Sequence, residues 1–374
     1  MPPALAAAAG APAAQQDSAR SPHGSCHRSV QHDCCVAEKC RPWLDSWVES
    51  AYGPAGFWSG NRPQDHFRTA SATGPHLAEA LGALLAEHPR VETVVELGAG
   101  DGRLLTELAA RRPDLLLAGV DLRARPDSCS PAVDWRRDLW DVTTADWSTG
   151  AAAGLLDSLT GPALVVAVEW LDDLPCPVAA RQTDGDTDPV RLVEVAPSGR
   201  ERLGTRPTAA ELSWSSRWWP SGNRLEIGTT RDLAWAAALS RLTRHGGLGL
   251  AVDYGHLRAA RPAEGSLTGY RQGRAVPARP SPDLNLTAAV AMDALAETGH
   301  RLGATTLLLQ RQAEVLRRPV AADGPAGPVN DLDTLVRRSQ RAALVDERVW
   351  GGQWWLLQQV PAHGWAPPGR AVVD

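Results

Sequence analysis

The chain of 374 residues is poor in most aromatic and flexible apolar types: it has 2 Phe, 3 Tyr and 2 Met, but 15 Trp. Tryptophan is therefore expected to fill the core and ligand-stacking positions that other chains give to Phe or Tyr. Lysine is nearly missing. Lys39 is the single lysine among 38 basic residues, a bias that, with the heavy use of Ala, reads as GC-rich coding rather than an arginine-specific function. Charge of one sign is also lacking: the formal net charge is -5 and the pI about 6.1. This excludes a nucleic-acid partner held by bulk positive charge. No apolar run approaches the roughly 18 residues of a membrane span. Cysteine is sparse in the body, where only Cys129 and Cys176 follow Cys26, Cys34, Cys35 and Cys40. That excludes a disulfide-stapled secreted fold. The first fourteen residues have no basic segment and two early prolines, so they do not read as a signal peptide. A cytoplasmic protein without membrane contact is the expectation.

With 43% hydrophobic and 22% charged residues the chain has the composition of a globular enzyme and not of a disordered protein. Residues 1–42 read as a disordered Ala/Pro-rich tail. Its His and Cys residues lack the paired spacing of a zinc frame, so no metal site is expected. One domain is predicted over 43–360, with insertions around 176–245 and 255–282 and a loose tail at 361–374. Helical spacing begins at Trp43, and His76–His88 is amphipathic. Buried strands are predicted at 91–97, 115–121, 133–136, 163–168 and 248–254, alternating with helices at 103–111 and 151–159. That rhythm argues an α/β, doubly wound, Rossmann-like sheet with an N-terminal helical segment and inserted hairpin and helical elements. The hairpin is placed at 178–181 and 190–195 around the turn-rich 183–189. Residues 207–245 read as helical, a further helix is predicted at 287–297 and another at 332–343, and strands at 305–309 and 354–360 close the sheet.

The chemistry concentrates in Glu96-Leu97-Gly98-Ala99-Gly100-Asp101-Gly102, directly after a strand and before a helix. Glycines there allow a tight turn and close approach of a ligand. Two nucleotide sites compete. A dinucleotide site wants G-x-G-x-x-G and seats a pyrophosphate on the helix N-terminus. Here Glu96 and Asp101 would repel a pyrophosphate but attract an ammonium or sulfonium, which points to S-adenosyl-L-methionine. Asp121, ending the next strand, suits ribose hydroxyls; Asp138 and Leu139, with Trp140 and Asp141 beside them, suit an adenine edge and face. A second group, Glu169-Trp170-Leu171-Asp172-Asp173, follows the buried strand 163–168. Glu169 is expected to face the ligand amine or the methyl acceptor, and Asp172 to orient it; acids at a helix N-terminus are the alternative for Asp172 and Asp173. Asp253 and Tyr254 end a further strand over the same cleft. His256 beside them is a candidate general base.

Together these residues resemble the MidA-like family of class I S-adenosylmethionine-dependent methyltransferases, in its actinomycete-type members. It is the family of the mitochondrial factor that methylates an arginine on a complex I subunit during assembly. The likeness spans roughly residues 43–360. It rests on the glycine loop, on His66-Phe67-Arg68-Thr69-Ala70, on Glu169-Trp170 with Asp172 and Pro175, on Asp253-Tyr254-Gly255, on Ser266–Tyr270 and on Asn285–Val290. It implies a methyltransferase acting on a protein or small-molecule acceptor, with Glu169, Asp172, Asp253 and Tyr254 on the acceptor side. The chain departs from the family at Val168, Asn285 and Ala289, where the family has Asn, Asp and His. Each departure removes a polar or charged group from the acceptor side and leaves the cofactor loop intact. A cofactor-binding assembly protein with little catalysis is the rival reading.

Overall fold

A computed structural model describes residues 38–60, 69–71, 73–182, 190–317 and 332–362. Seven strands build the central sheet: β1 Thr93–Leu97, β2 Leu116–Asp121, β3 Val133–Arg137, β4 Ala163–Val168, β5 Gly247–Asp253, β6 Thr305–Arg311 and β7 Trp354–Val360. Their spatial order is β3-β2-β1-β4-β5-β7-β6. The first five run parallel; β7 is antiparallel to both β5 and β6.

The alternation of side chains along each strand sorts the apolar residues into two cores. Ala163, Val165 and Ala167 of β4 face one side, with Val95, Leu97, Val120 and Ala251. Leu164, Val166 and Val168 face the other, with Val94, Leu117, Leu250 and Val252. Every residue of β4 is buried, as a central parallel strand covered on both faces must be. Helices α1 Trp43–Tyr52, α2 His76–Glu87, α3 Arg103–Arg111, α4 Thr229–Leu242, α5 Met292–Arg301 and α6 Leu332–Val345 surround the sheet. Leucines of α2 and α3 close the second core, while Trp235, Leu239 and Leu242 of α4 and Met292 and Leu295 of α5 close the first. Each buried Leu or Val contributes about 1.5–3 kcal/mol, so a polar residue anywhere in β4 would be costly.

A smaller antiparallel sheet forms around the hairpin 178–181 and 190–195, whose connecting turn, 183–189, lies outside the described residues. Arg41–Pro42, assigned above to the tail, pair with Val195 and Glu194, and Trp43 Nε1 donates to Glu201 Oε1 at 2.5 Å. Cys26, Cys34, Cys35 and the 361–374 tail beyond residue 362 lie outside the described residues as well. Two expectations change. The stretch 207–245 is not continuous helix: helix Ala209–Trp218 ends before Pro220, and Arg224–Glu226 pair with Val178–Ala180 before α4 begins. The helix expected from Thr287 begins at Met292. Asn285–Thr287 and Val290–Ala291 are drawn into strand pairing with 268–270 and 255–256, and Ala291 sits at ψ 82, outside the helical range. Among the described residues no helix is long and apolar enough to cross a membrane.

Candidate active site

The order β3-β2-β1-β4-β5 reverses direction between β1 and β4, and open sheets bind ligands outside the carboxyl ends of their strands at that point. Leu97, Asp121, Val168 and Asp253 all end on this edge because the pairing registers align them. A cleft opens there, lined by Tyr52, Gly98, Ala99, Gly100, Asp121, Leu122, Asp138, Leu139, Glu169 and Trp170, among others. Counting the open solvent at its mouth, the empty space over these residues is about 1060 Å³.

The glycine loop is shaped by packing as much as by its ligand. Gly98 sits at φ +68, and a Cβ there would lie 2.5 Å from Trp170 Cδ1. Gly102, also at φ +68, caps α3; its Cβ would strike Cys129 Sγ at 2.6 Å, so it serves helix packing rather than the cleft. Gly100 faces open space, with no protein atom within 3.9 Å of such a Cβ. Its N–H donates to Asp121 Oδ2 at 2.8 Å, and the other oxygen of Asp121 accepts from the Arg123 backbone at 2.9 Å. Asp121 thus pins the loop while it lines the cleft. Glu96 lies beneath, 2% exposed, with Oε2 unpartnered; burial, and then the charges of Asp101 and Asp121, push its carboxyl well above the usual range.

Asp138 is more occupied than its sequence position suggests. Its Oδ1 accepts from Leu139 N, Thr149 N and Ser148 Oγ, and its Oδ2 from Ala152 N, so it closes the turn into helix 151–157. Burial raises its carboxyl, but these donors outweigh it and the net shift is downward. The wall beyond is tryptophan: Trp147 stacks on Trp170 at 5.9 Å and meets Trp140 edge-on at 5.4 Å.

Glu169 follows β4 at φ +49, a region a non-glycine residue adopts at a cost of about 1–3 kcal/mol. Its Oε1 accepts from Ala70 N and from Gln353 Nε2, each at 2.7 Å. Burial lifts its carboxyl to about 7 against those hydrogen bonds. Asp253 is fully buried and does not line the cleft; its Oδ2 accepts from Leu171 N at 2.9 Å and Asp172 N at 3.3 Å, holding the turn that carries the acids. Asp172 also stands behind the cleft wall, 6% exposed with Oδ1 unpartnered, while Asp173 lines it and accepts from Asn285 Nδ2 at 2.9 Å. Burial raises Asp172, Asp173 and Asp253 alike. Tyr254 is 37% exposed and its hydroxyl reaches Val349 O at 3.5 Å, away from the lining. His256 is packed against Trp219 and Arg261; burial and then the Arg261 charge depress it to about 3, and it takes no part in the cleft.

Two residues had no sequence signal. Arg231 of α4, 2% exposed, donates to the carbonyls of Leu174, Ala288, Ala289 and Asp172, and its charge works against the burial that raises Asp172. Gln353, immediately before β7, reaches Glu169 across 184 positions of sequence.

The sheet order and the cleft at its reversal define an α/β methyltransferase fold of the class I type. Residues 124–310 match the model of a family of S-adenosyl-L-methionine-dependent methyltransferases, and the chain belongs to that family. It resembles the crystal structure of a COG1565 superfamily member from Burkholderia thailandensis bound to S-adenosyl-homocysteine. The TM-score is 0.66 at 20% identity, over 89% of this chain and 92% of that one. A native structure of a COG1565 superfamily protein from the same organism matches with TM-score 0.65 at 22% identity, over 89% and 91%. No curated protein matches the chain. The cofactor is therefore S-adenosyl-L-methionine, and the residues fit it. Gly100 leaves room for close approach, Asp121 lines the cleft at the end of β2, and Arg123 is the single basic residue lining the cleft among those described.

Proposed function

We propose that the chain is a MidA-like enzyme of actinomycete type that methylates a cationic protein side chain, arginine being the first candidate. One observation carries this reading: the cleft is lined by the carboxyls of Glu169 and Asp173, against one basic residue, Arg123, among those described. A guanidinium offers five N–H donors and stays protonated near neutrality. All three tyrosines of the chain, Tyr52, Tyr254 and Tyr270, stand within electrostatic reach of Asp172, and Tyr52 lines the cleft.

When bound, S-adenosylmethionine supplies a methyl group on a cationic sulfur and departs as a neutral thioether, so no acid is needed for the leaving group. Glu96, Gly98, Ala99, Gly100 and Gly102 form its loop, Asp121 takes the ribose, and Asp138 and Leu139 border the adenine. The remaining tasks are alignment and exclusion of water. Glu169 would hold the acceptor by charge-assisted hydrogen bonds and localise its charge away from the attacking nitrogen, with Asp172 acting on it from behind the cleft wall. The methylated nitrogen must then lose a proton, and Glu169, titrating at about 7, is placed to receive it. Asp253 and Tyr254 act as supports of this group. We take 43–360 as one catalytic unit with the insertions 176–245 and 255–282. Cys129 and Cys176, both buried and free, support a reducing, cytoplasmic setting.

Incubation with radiolabelled cofactor and host lysate tests the reading. Label in a protein band, mapped to arginine, supports it. Label in the low-mass fraction replaces it with a small-molecule acceptor, and cofactor binding without any transfer defeats it.

A further inference from the structure

The strand β7 is the one that runs against the rest, and it delivers a side chain to the site from outside the region where an acid or glycine motif is found. Gln353, immediately before β7, is 0% exposed. Its own backbone is held at both ends: its N–H donates to Trp350 O at 3.0 Å and its carbonyl accepts from Gln312 N at 2.8 Å. From that fixed point Nε2 donates to Glu169 Oε1 at 2.7 Å, the same oxygen that takes the Ala70 N–H. Both donors engage one oxygen of a carboxylate that lines the cleft, which leaves Oε2 for the ligand side. The amide oxygen of Gln353 has no partner, so its orientation is dictated by the bond to Glu169 and by no competing contact.

We propose that Gln353 is a positioning residue for methyl transfer: it grips one oxygen of Glu169 and thereby aims the other at the methyl acceptor. The proposal rests on the assignment of Glu169 to the acceptor made above. It has an electrostatic consequence. A donor to an ionised carboxylate favours the ionised form, while Asp172, Asp173, Asp253 and Tyr254, the titratable groups that face Glu169, oppose it or are opposed by it. Gln353 keeps Glu169 ionisable near neutral pH.

The test separates the contact from the chemistry. Infrared difference spectra between pH steps, with the Glu169 band assigned by its disappearance in E169Q, follow that carboxyl without any acceptor. In Q353M, which keeps the length and removes the donor, the midpoint is expected to rise by about one to two pH units, the worth of one hydrogen bond to an ionised group. Label transfer by the same variant is expected to fall as pH drops below its raised midpoint, so that it is already depressed at pH 7, and to recover toward the wild-type rate above that midpoint. A variant that merely loosened the fold would lose rate equally at every pH. Should Q353M not fold, Q353E applies the same test: two carboxyls against each other share a proton, and the midpoint is expected to rise further. A midpoint unmoved by the substitution, or a loss of rate independent of pH, overturns the proposal. Absence of label from the wild type would count against the protein acceptor instead, and the infrared titration would still decide for or against Gln353.

Discussion

Gln353 Nε2 and Glu169 Oε1 lie 2.7 Å apart although 184 residues of sequence separate them. The bond joins the residue before the last strand of the sheet to the turn after its central strand, in the half of the cleft proposed for the acceptor. The cofactor half depends on a shorter link, from Gly100 N to Asp121 Oδ2. Each half can be perturbed separately.

Glu169→Gln keeps the shape and the hydrogen-bond reach of the side chain but removes its charge. Methyl transfer is expected to drop by about 100-fold or more, in the range found for loss of one charge-stabilising or proton-accepting group. Affinity for S-adenosyl-homocysteine, measured by calorimetry, is expected to change less than about threefold. Equal losses in both would move Glu169 to the cofactor.

The same substitution should alter how stability depends on pH. The Glu169 carboxyl sits at about 7 in the native protein against an ordinary 4.5, because it is buried. The native state therefore holds a proton that the unfolded chain has already released, and this group's contribution falls as pH rises from about 4.5 to 7. Glu169→Gln cannot ionise. Relative to wild type it is expected to be level near pH 5 and to gain about 1–3 kcal/mol by pH 8, read from urea unfolding. Parallel curves at the two pH values would show that another group titrates.

Asp138→Ala removes four hydrogen bonds around the start of helix 151–157. A loss of about 2–3 kcal/mol in unfolding free energy is expected from a buried cap of this kind. Because the native carboxyl is held below its usual value, the wild type should also lose this contribution on acidification through that lowered range. Loss of S-adenosyl-homocysteine binding at unchanged stability would place the carboxylate on the ligand instead.

Two glycine substitutions should part company. Gly98→Ala puts a methyl 2.5 Å from Trp170 at a left-handed φ, so it is expected to destabilise the fold by about 1–2 kcal/mol or more and to weaken S-adenosyl-homocysteine binding together. Gly100→Ala meets no protein atom closer than 3.9 Å; it carries the backbone strain of its φ of +60, about 1–2 kcal/mol, without a packing cost, and its further effect should fall on the ligand, at about tenfold or more. Full binding by Gly100→Ala would mean that the cofactor does not approach this edge of the loop.

The strands β1, β2, β4 and β5 were legible because their signals are local: apolar runs of five to seven residues, closed by glycine or an acid; β3, Val-Asp-Trp-Arg-Arg, gave a weaker signal. The glycine loop and the acids Asp121 and Glu169 were legible for the same reason. What misled was also local. Thr287–Ala291 carries helical spacing, yet its backbone groups find partners in 255–256 and 268–270, and tertiary pairing overrode propensity. His256 stood next to the Asp-Tyr-Gly motif but points into a tryptophan–arginine pocket.

From the sequence alone follow the layered sheet, the glycine turn with its carboxylates, and hence a cationic nucleoside cofactor, because all of these are periodicities and spacings within some thirty residues. Which carboxylates reach the cleft was decided only by the tertiary structure. Asp253 and Glu96 lie under it, Asp138 is spent on a helix start, and Glu169 is presented to it by Gln353 and Ala70. Side-chain burial and hydrogen-bond partnership across the sheet depend on how distant strands register, and no local pattern encodes that.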